Sequence, residues 1–391
     1  MNKPRGIGYW LFMCGIFTMP FLAFRFYSIT LSDYLLAISY LSSFVTLKGR
    51  KKIPFPTEIR AAIFFVIVGG LISSVTAENT IASLLTLGKF IFILYSIVWM
   101  LANYLERDVD LQILIISWVS GVLAFSIASI VERQGITGYY GSNSLIRTQG
   151  LSQHVTDSGG ITSIAATLLI LLLINAKKPY LIVPLLTIVI LALAFSGSVT
   201  GYASLAMTIL MIVIRPRFAS TRKRIILLTL GILVITLVQK LNVYDILARI
   251  RNASSGRYDT LQSRLINIGS ALDSTFQSIH AFFFGYGLDS KSGLVSDYTG
   301  AVFSAHNIFV QAFYQGGVLF LFGFLICWIS FFKYSRSLER KINYKYTPTI
   351  ITALIFGCAN PLMYARYIWL PGLIVIALYM RNSTKANGIF I

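Results

Sequence analysis

The chain has three histidines, and one of them stands where an apolar segment begins. The stretch VFSAHNIFVQAFYQGGVLF, residues 302–320, reads as the start of a membrane helix with His306 and Asn307 in its first turn. Ser304 is suited to cap that helix, and a helix N-terminus is a positive-dipole end that favours anions. A neutral imidazole there can take a proton from a hydroxyl; a protonated one can bind phosphate. The competing reading is an interfacial histidine with its ring at headgroup depth.

A set of arginines raises the same question. Arg133 and Arg147 fall in the segment 132–159, and Arg249, Arg251, Arg257 and Arg264 in the long segment 241–302. Arginine grips phosphate or carboxylate with a bidentate fork, and its charge does not titrate away. Cations held in such loops suggest an anionic ligand, against the simpler reading that a long loop solvates them. If 257–264 is continuously helical, the spacing of seven puts Arg257 and Arg264 on one face. Asp157 and Asp297 are reserve bases. Lys89, inside TLGKFIF, and Arg366, at the end of the last hairpin, are further suspects because ionisable residues in or beside membrane spans are costly.

The elements that hold these residues follow from composition. Of 391 residues, 56% are hydrophobic and 12% charged, with mean hydropathy +0.75. A soluble chain carries about twice that charged fraction. Apolar runs recur from end to end, each able to cross a hydrocarbon core of roughly 30 Å as a helix. The expected fold is all-α: a polytopic membrane helical bundle of about twelve spans. They are placed at 7–27, 30–47, 60–77, 81–104, 111–131, 159–175, 179–196, 199–214, 224–240, 303–331, 347–364 and 367–380. Residues 1–391 form one integral membrane domain, with 241–302 as its one large loop. Leu261, Leu265, Ile268 and Leu272 recur at helical spacing in that loop, so an amphipathic helix lying on the membrane surface or on the bundle is expected at about 259–276, N-capped by Asp259.

Charge sets the orientation. With the N-terminus inside, MNKPR, LKGRKKIPFPTEIR, RPRFASTRKR, FKYSRSLERKINYKY and the other inner segments hold most of the 33 Lys and Arg residues. That is the positive-inside pattern, with both termini cytoplasmic. The net charge of +19 is therefore a topology signal and a contact with anionic lipid headgroups, not a nucleic-acid surface. No A-x-A-like site follows the first apolar segment, so no cleaved signal peptide is expected. Cys14, Cys327 and Cys358 fall in expected spans far apart in sequence, which implies neither a disulfide nor a thiolate metal site. There is no Walker A loop and no His/Cys/Glu set with metal spacing, so no cofactor is expected.

His306-Asn307 followed by IFVQAFYQGGVLFLFGF resembles the H-N-x-x-[LVI]-Q…G-x-x-G signature of the O-antigen ligase and O-antigen polymerase family. Upstream, SSGRYDTLQSRLINIGSALDS…AFFFGYGLDS is similar to that family's G-R…helix…F/L-x-G-x-G segment. IRTQGLSQHVTDSGG and SGSVTGYASL resemble two further family elements, so the resemblance covers roughly residues 140–330 in order. It implies an integral-membrane glycan transferase at the periplasmic face of the bacterial inner membrane, with 241–302 as a periplasmic loop. The implied donor is an undecaprenyl-diphosphate-linked glycan; the acceptor is lipid A–core for a ligase or another lipid-linked glycan for a polymerase. His306 and Arg257 correspond to the family's important His and loop Arg, and Arg147 to its early-loop Arg. Arg147 and Arg257, supported by Arg264, would hold the diphosphate, with no metal and no cofactor, and His306 would act on the acceptor hydroxyl. Tyr139, Tyr140, Tyr258, Tyr286 and Tyr298 would either stack on sugars or anchor at the interface. The chain departs from the family at Val199, where the turn S-G-S-R-T-G carries an Arg; either another Arg substitutes or the chain belongs to a branch without it. The rival reading is a transporter or flippase for lipid-linked oligosaccharide, for which a twelve-span bundle also serves, although no half-to-half repeat is visible.

Overall fold

The computed structural model describes residues 5–26, 29–46, 55–134, 139–140, 146–152, 154–176, 178–215, 260–291, 305–342 and 345–386, with scattered positions between 218 and 231. Helices dominate, because a chain in hydrocarbon can satisfy its backbone only within helices or closed barrels. In chain order they are α1 (Ile7–Thr18), α2 (Leu31–Thr46), α3 (Thr57–Val75), α4 (Thr80–Ile91), α5 (Val98–Tyr104), α6 (Asp108–Gln134), α7 (Val155–Asn175), α8 (Val183–Ser196) and α9 (Val199–Ile214). After the long segment come α10 (Thr260–Gln277), α11 (Ile279–Phe284), α12 (Ile308–Ile342), α13 (Thr347–Gly357) and α14 (Arg366–Ala386). A π turn, Phe92–Ile97, joins α4 to α5. Two antiparallel pairs, β1 (Arg25–Phe26) with β2 (Ile29–Thr30) and β3 (Tyr139–Tyr140) with β4 (Ile146–Arg147), complete the described elements.

Among the described residues six helices are long and apolar enough to cross a membrane: Thr57–Val75, Thr80–Tyr104, Asp108–Glu132, Val155–Asn175, Pro179–Ser196 and Ile308–Arg340. They make the molecule an all-α membrane bundle. Its outward side chains include Phe64, Ile81, Leu85 and Ile329, as a lipid-facing surface requires. Helices occupy the expected apolar segments with three differences. The segment 7–27 is helical only to Thr18, with Met19 as its C-cap, just before Pro20, which lacks an amide donor and cannot continue the helix hydrogen bonds. Segment 347–364 is helical only to Gly357, ahead of Asn360-Pro361. Segment 303–331 begins at Ile308 and continues to Ile342, with a break inside it. Most of 224–240 lies outside the described residues.

Helices α3 and α12 run antiparallel along their length. At one end Glu58 meets Lys333 and Tyr334. Midway, Gly69 lets the backbone of Phe320 come close, where a Cβ would stand 2.6 Å from its nitrogen. At the far end Ser73 donates to the carbonyl of Gln315. Further ion pairs mark the Glu58 end: Arg5 to Asp110 at 2.6 Å, Arg107 to Asp110 at 3.3 Å and Arg381 to Asp108 at 2.9 Å. Helix α7 is the central one, almost entirely covered by its neighbours. A hydroxyl chain ties it in place: Thr352 contacts both Thr167 at 2.9 Å and Thr208 at 2.8 Å. Small residues let this close approach happen, as in membrane helix pairs generally. A Cβ on Gly159 would fall 2.2 Å from Ser198.

The break in α12 sits at Gly317, with φ 69° and ψ −173°. A broken membrane helix leaves carbonyls without partners, and the turn after α11 answers them. Tyr286 N donates to the Tyr314 carbonyl at 3.0 Å, and Gly287 N to the Gln315 carbonyl at 3.1 Å. The Gln315 side chain completes the clasp, donating to the Ser290 carbonyl at 2.7 Å and accepting from Tyr364 at 2.9 Å. Gly285, at φ 74°, packs so tightly that a Cβ would lie 2.4 Å from the Gln315 oxygen. Gly285→Ala and Gly317→Ala should therefore each lower stability by about 1–3 kcal/mol, read as a lower thermal unfolding midpoint in detergent. Gly269→Ala in α10, where nothing lies within 4 Å of the new Cβ, should instead gain about 0.5–1 kcal/mol. An unchanged midpoint in Gly285→Ala would mean that the clasp is not a fixed part of the fold.

Candidate functional site

The site is a recess formed where two helices stop short. Helix α13 has 11 residues, about 16 Å at 1.5 Å per residue, roughly half of a ~30 Å hydrocarbon core. Its first residue, Thr347, meets Ser335 at 2.8 Å, two residues past Lys333 at the ion-paired end. Its last turn therefore hangs near mid-depth. Helix α9 starts at a similar level, since Thr200 is eight residues, about 12 Å, above Thr208, which contacts Thr352 of α13. Non-helical backbone at such depth is tolerated only where protein groups or a polar cavity satisfy it.

Asn307 and Arg264 are those groups. Asn307 Nδ2 donates to the Cys358 carbonyl at 3.0 Å. Its Oδ1 accepts from Phe309 N at 2.9 Å and Val310 N at 3.2 Å, so Asn307 is the N-cap of α12. The expected cap, Ser304, lies outside the described residues. Arg264, on α10, donates from Nη1 to the Ala359 carbonyl at 3.2 Å and to Thr200 Oγ1 at 3.1 Å. One guanidinium thus ties the α8–α9 turn to the turn that follows α13. Thr200 follows Val199, the position where the sequence departs from the S-G-S-R-T-G pattern.

His306 sits in the turn ahead of α12, half-buried, with its Nδ1 buried and without a hydrogen-bond partner. Burial first, and then the positive charge of Arg264, hold its pKa down at about 4. The imidazole is neutral at pH 7 and available as a proton acceptor; the anion-binding role that a protonated ring would serve falls to Arg264. Cys358 is half-buried in the turn that accepts from Asn307. Cys358 was expected within a span and lies just past the end of α13 instead.

The other sequence candidates divide. Arg147 belongs to β4, opposite Tyr139 in the register. The next residue, Thr148, donates its N–H to the Phe195 carbonyl at 3.1 Å, which brings the Arg147 backbone to the end of α8, beside the Ser196-Gly197-Ser198 turn. Gly150 N donates to Glu132 Oε2 at 2.7 Å and holds the segment there. Arg257, with Arg249, Arg251, Tyr258 and Asp297, lies outside the described residues, as do Asp259 and Tyr298. Asp157 is buried in the first turn of α7 and accepts from Tyr367 at 2.8 Å. Arg366 is ion-paired with Asp33 and donates to Thr30 at 3.2 Å, so it locks α14 to the β1–β2 hairpin. Lys89 is on the exposed face of α4; the structure does not bring it to the His306–Arg264 cluster. Tyr286 stacks on Tyr314 at 4.7 Å. Among the described residues no three His, Cys, Asp or Glu side chains gather as metal ligands.

Thr200 and the carbonyls of Cys358 and Ala359 were missed in the sequence, and carbonyls carry no side-chain signal by which to find them. No protein-family model matches the chain, and no curated protein matches it.

The electrostatics of His306 can be tested directly. With only three histidines, ¹⁵N-imidazole NMR should assign His306 as the resonance lost in His306→Gln. That resonance should titrate near pH 4, and its midpoint should move up toward the ordinary 6.5 in Arg264→Gln, which removes the second cause of the shift. A midpoint near 6.5 in the native protein would contradict the burial described.

Proposed function

We propose that the chain is a membrane glycan transferase that takes a glycan from a lipid-diphosphate carrier. The observation that carries this reading is the meeting of a neutral, half-buried His306 with the fixed cation Arg264 in one recess. That pairing suits a proton acceptor beside an anionic leaving group. The order of elements that resembles the O-antigen ligase and polymerase family agrees with it: the early-loop arginine, the α8–α9 turn, the arginine-bearing helix and the His-Asn pair all converge. The neighbourhood of Arg264 and Val199 supports the view that Arg264 takes the part of the arginine missing from that turn.

The reaction follows from those roles. The acceptor hydroxyl loses its proton to His306 as its oxygen attacks the anomeric carbon. The bond from that carbon to the diphosphate oxygen breaks, and the configuration inverts. Arg264, with Arg147 and Arg257, takes up the charge that develops on the leaving diphosphate, each donor contributing roughly 3 kcal/mol in a dry site. This chemistry asks for neither metal nor cofactor. Asn307 keeps the start of α12 against the Cys358 turn and so fixes the histidine's approach. The positive-inside rule puts the ion-paired end in the cytoplasm and the recess toward the periplasm of the bacterial inner membrane, within a bundle of about twelve spans. The donor would be an undecaprenyl-diphosphate-linked glycan, and the acceptor lipid A–core or a second lipid-linked glycan.

One feature favours the alternative. Transporter sites use interrupted helices near mid-membrane, and here α12 is broken at Gly317 and α13 is half-length. Reconstitution separates the two. Protein in nanodiscs, given undecaprenyl-diphosphate-linked repeat units with and without lipid A–core, should lengthen the carrier-linked glycan or shift the core band. His306→Ala should slow transfer at least about a hundredfold, and Arg264→Ala by about 10²–10³, with both proteins still inserted and folded. Absence of transfer from the native repeat unit, together with flux of a lipid-linked oligosaccharide in proteoliposomes, would favour the transporter.

A further inference from the structure

Helix α10 wears its residues inside out. Arg264, Asn267, Ala271 and Thr275 recur at three and four residues and form its inner stripe; Asn267 and Thr275 are buried, and Arg264 is engaged by the two turns of the recess. Three of those four side chains are polar. Its outer side carries Leu265, 59% exposed, and Phe276, 64% exposed. The surface continues onto α11, where Ile279 is 79% and Phe283 45% exposed. At 100° per residue, Leu265 and Phe276 lie within about 20° of each other around the axis, and Asp273 and Gln277 are turned about 80° and about 120° from Leu265, with Ile266 between them. A helix at a water surface turns its apolar side inward. This one is arranged for a largely apolar exterior, in which Asp273 and Gln277 are the polar members beside Ile266, 43% exposed.

The position of the pair says what that exterior is. Helix α11 packs on α12, where Gly317 receives the Phe283 backbone with 2.3 Å between a built Cβ and the carbonyl oxygen. The turn that follows is bonded to Ser73 near the end of α3, and Leu288 N donates to Ser83 of α4 at 2.8 Å. The exposed apolar residues of α10 and α11 therefore continue the outward belt of the same three helices, which includes Leu71, Val75, Ile81 and Leu84.

We infer that the α10–α11 pair is seated in the acyl-chain region of the bilayer leaflet at this end, with Ile279, Phe276, Phe283 and Leu265 in hydrocarbon and Asp273 and Gln277 toward the headgroups. Arg264 then reaches the recess from a helix that is itself lipid-bound, so the helix moves with the leaflet and not with the solvent. This inference does not depend on the chemistry proposed for the recess.

Nitroxide labelling tests it. Single cysteines at Phe276, Ile279, Asp273 and Gln277, and at Ile329 as a lipid-facing reference, would be made in a Cys14→Ser, Cys327→Ala, Cys358→Ser background and placed in phosphatidylcholine vesicles. At 276 and 279, collision with oxygen should exceed collision with a water-soluble nickel chelate several-fold, as at 329; at 273 and 277 the ratio should invert. In the unaltered protein, a diazirine midway along a phospholipid acyl chain should label peptides containing 276–283, which guards against a label that disturbs folding. Nickel access at 279 equal to that at 273, or shielding from both probes with no lipid photolabelling, would overturn the inference, the first meaning water and the second a protein cover.

Discussion

Backbone that leaves a helix inside a membrane must have its amides and carbonyls answered by something other than water. That constraint shapes this molecule more than any single contact. Two helices end or break within the bundle's thickness, α13 at Gly357 and α12 at Gly317. The freed carbonyls of Tyr314, Gln315, Cys358 and Ala359 recruit Tyr286, Gly287, Asn307 and Arg264. These partners come from the long segment between α9 and α12 and from the His-Asn pair that ends it. The candidate site is in this sense the place where the broken backbone is repaired.

The repair also sets the electrostatics. A cation held against two turns needs somewhere to lie and something to oppose it. Arg264 donates to two neutral oxygens, Thr200 Oγ1 and the Ala359 carbonyl. Elsewhere cations are neutralised: Arg366 by Asp33, Arg381 by Asp108, Arg5 by Asp110. Burial first, and then the charge of Arg264, keep His306 deprotonated, so the two roles are mutually consistent.

Most of the architecture was readable from hydropathy. Long apolar runs predicted helices at the right places because burial in lipid leaves the chain little choice, and α9 coincides with its expected segment 199–214. The His306-Asn307 pair was expected inside the first turn of the helix, but the helix starts at Ile308 and Asn307 is its cap. What escaped was tertiary. Arg366 looked like a member of an anion site, but its partner Asp33 is more than three hundred residues away. The early end of α13 was written in Asn360-Pro361 but overridden in the reading by the apolar residues around it. The spacing of Leu265 left open whether its stripe meets the membrane or the bundle, and it faces out, because periodicity reports two-sidedness and not which side meets the protein. The carbonyl floor of the recess had no sequence signal at all.

The shortness of α13 has an electrical consequence. A charge that settles beside Cys358 and Ala359 has passed through part of the membrane's thickness, and so through part of any voltage across it. Complete passage of one elementary charge is worth about 2.3 kcal/mol per 100 mV, so a half-passage is worth about 1 kcal/mol. On the proposed orientation, with the recess toward the outer side of an inside-negative membrane, an anion would be drawn out of it and a proton leaving the site pulled deeper. On that orientation a helix of eleven residues would couple the occupancy of the recess to the membrane voltage.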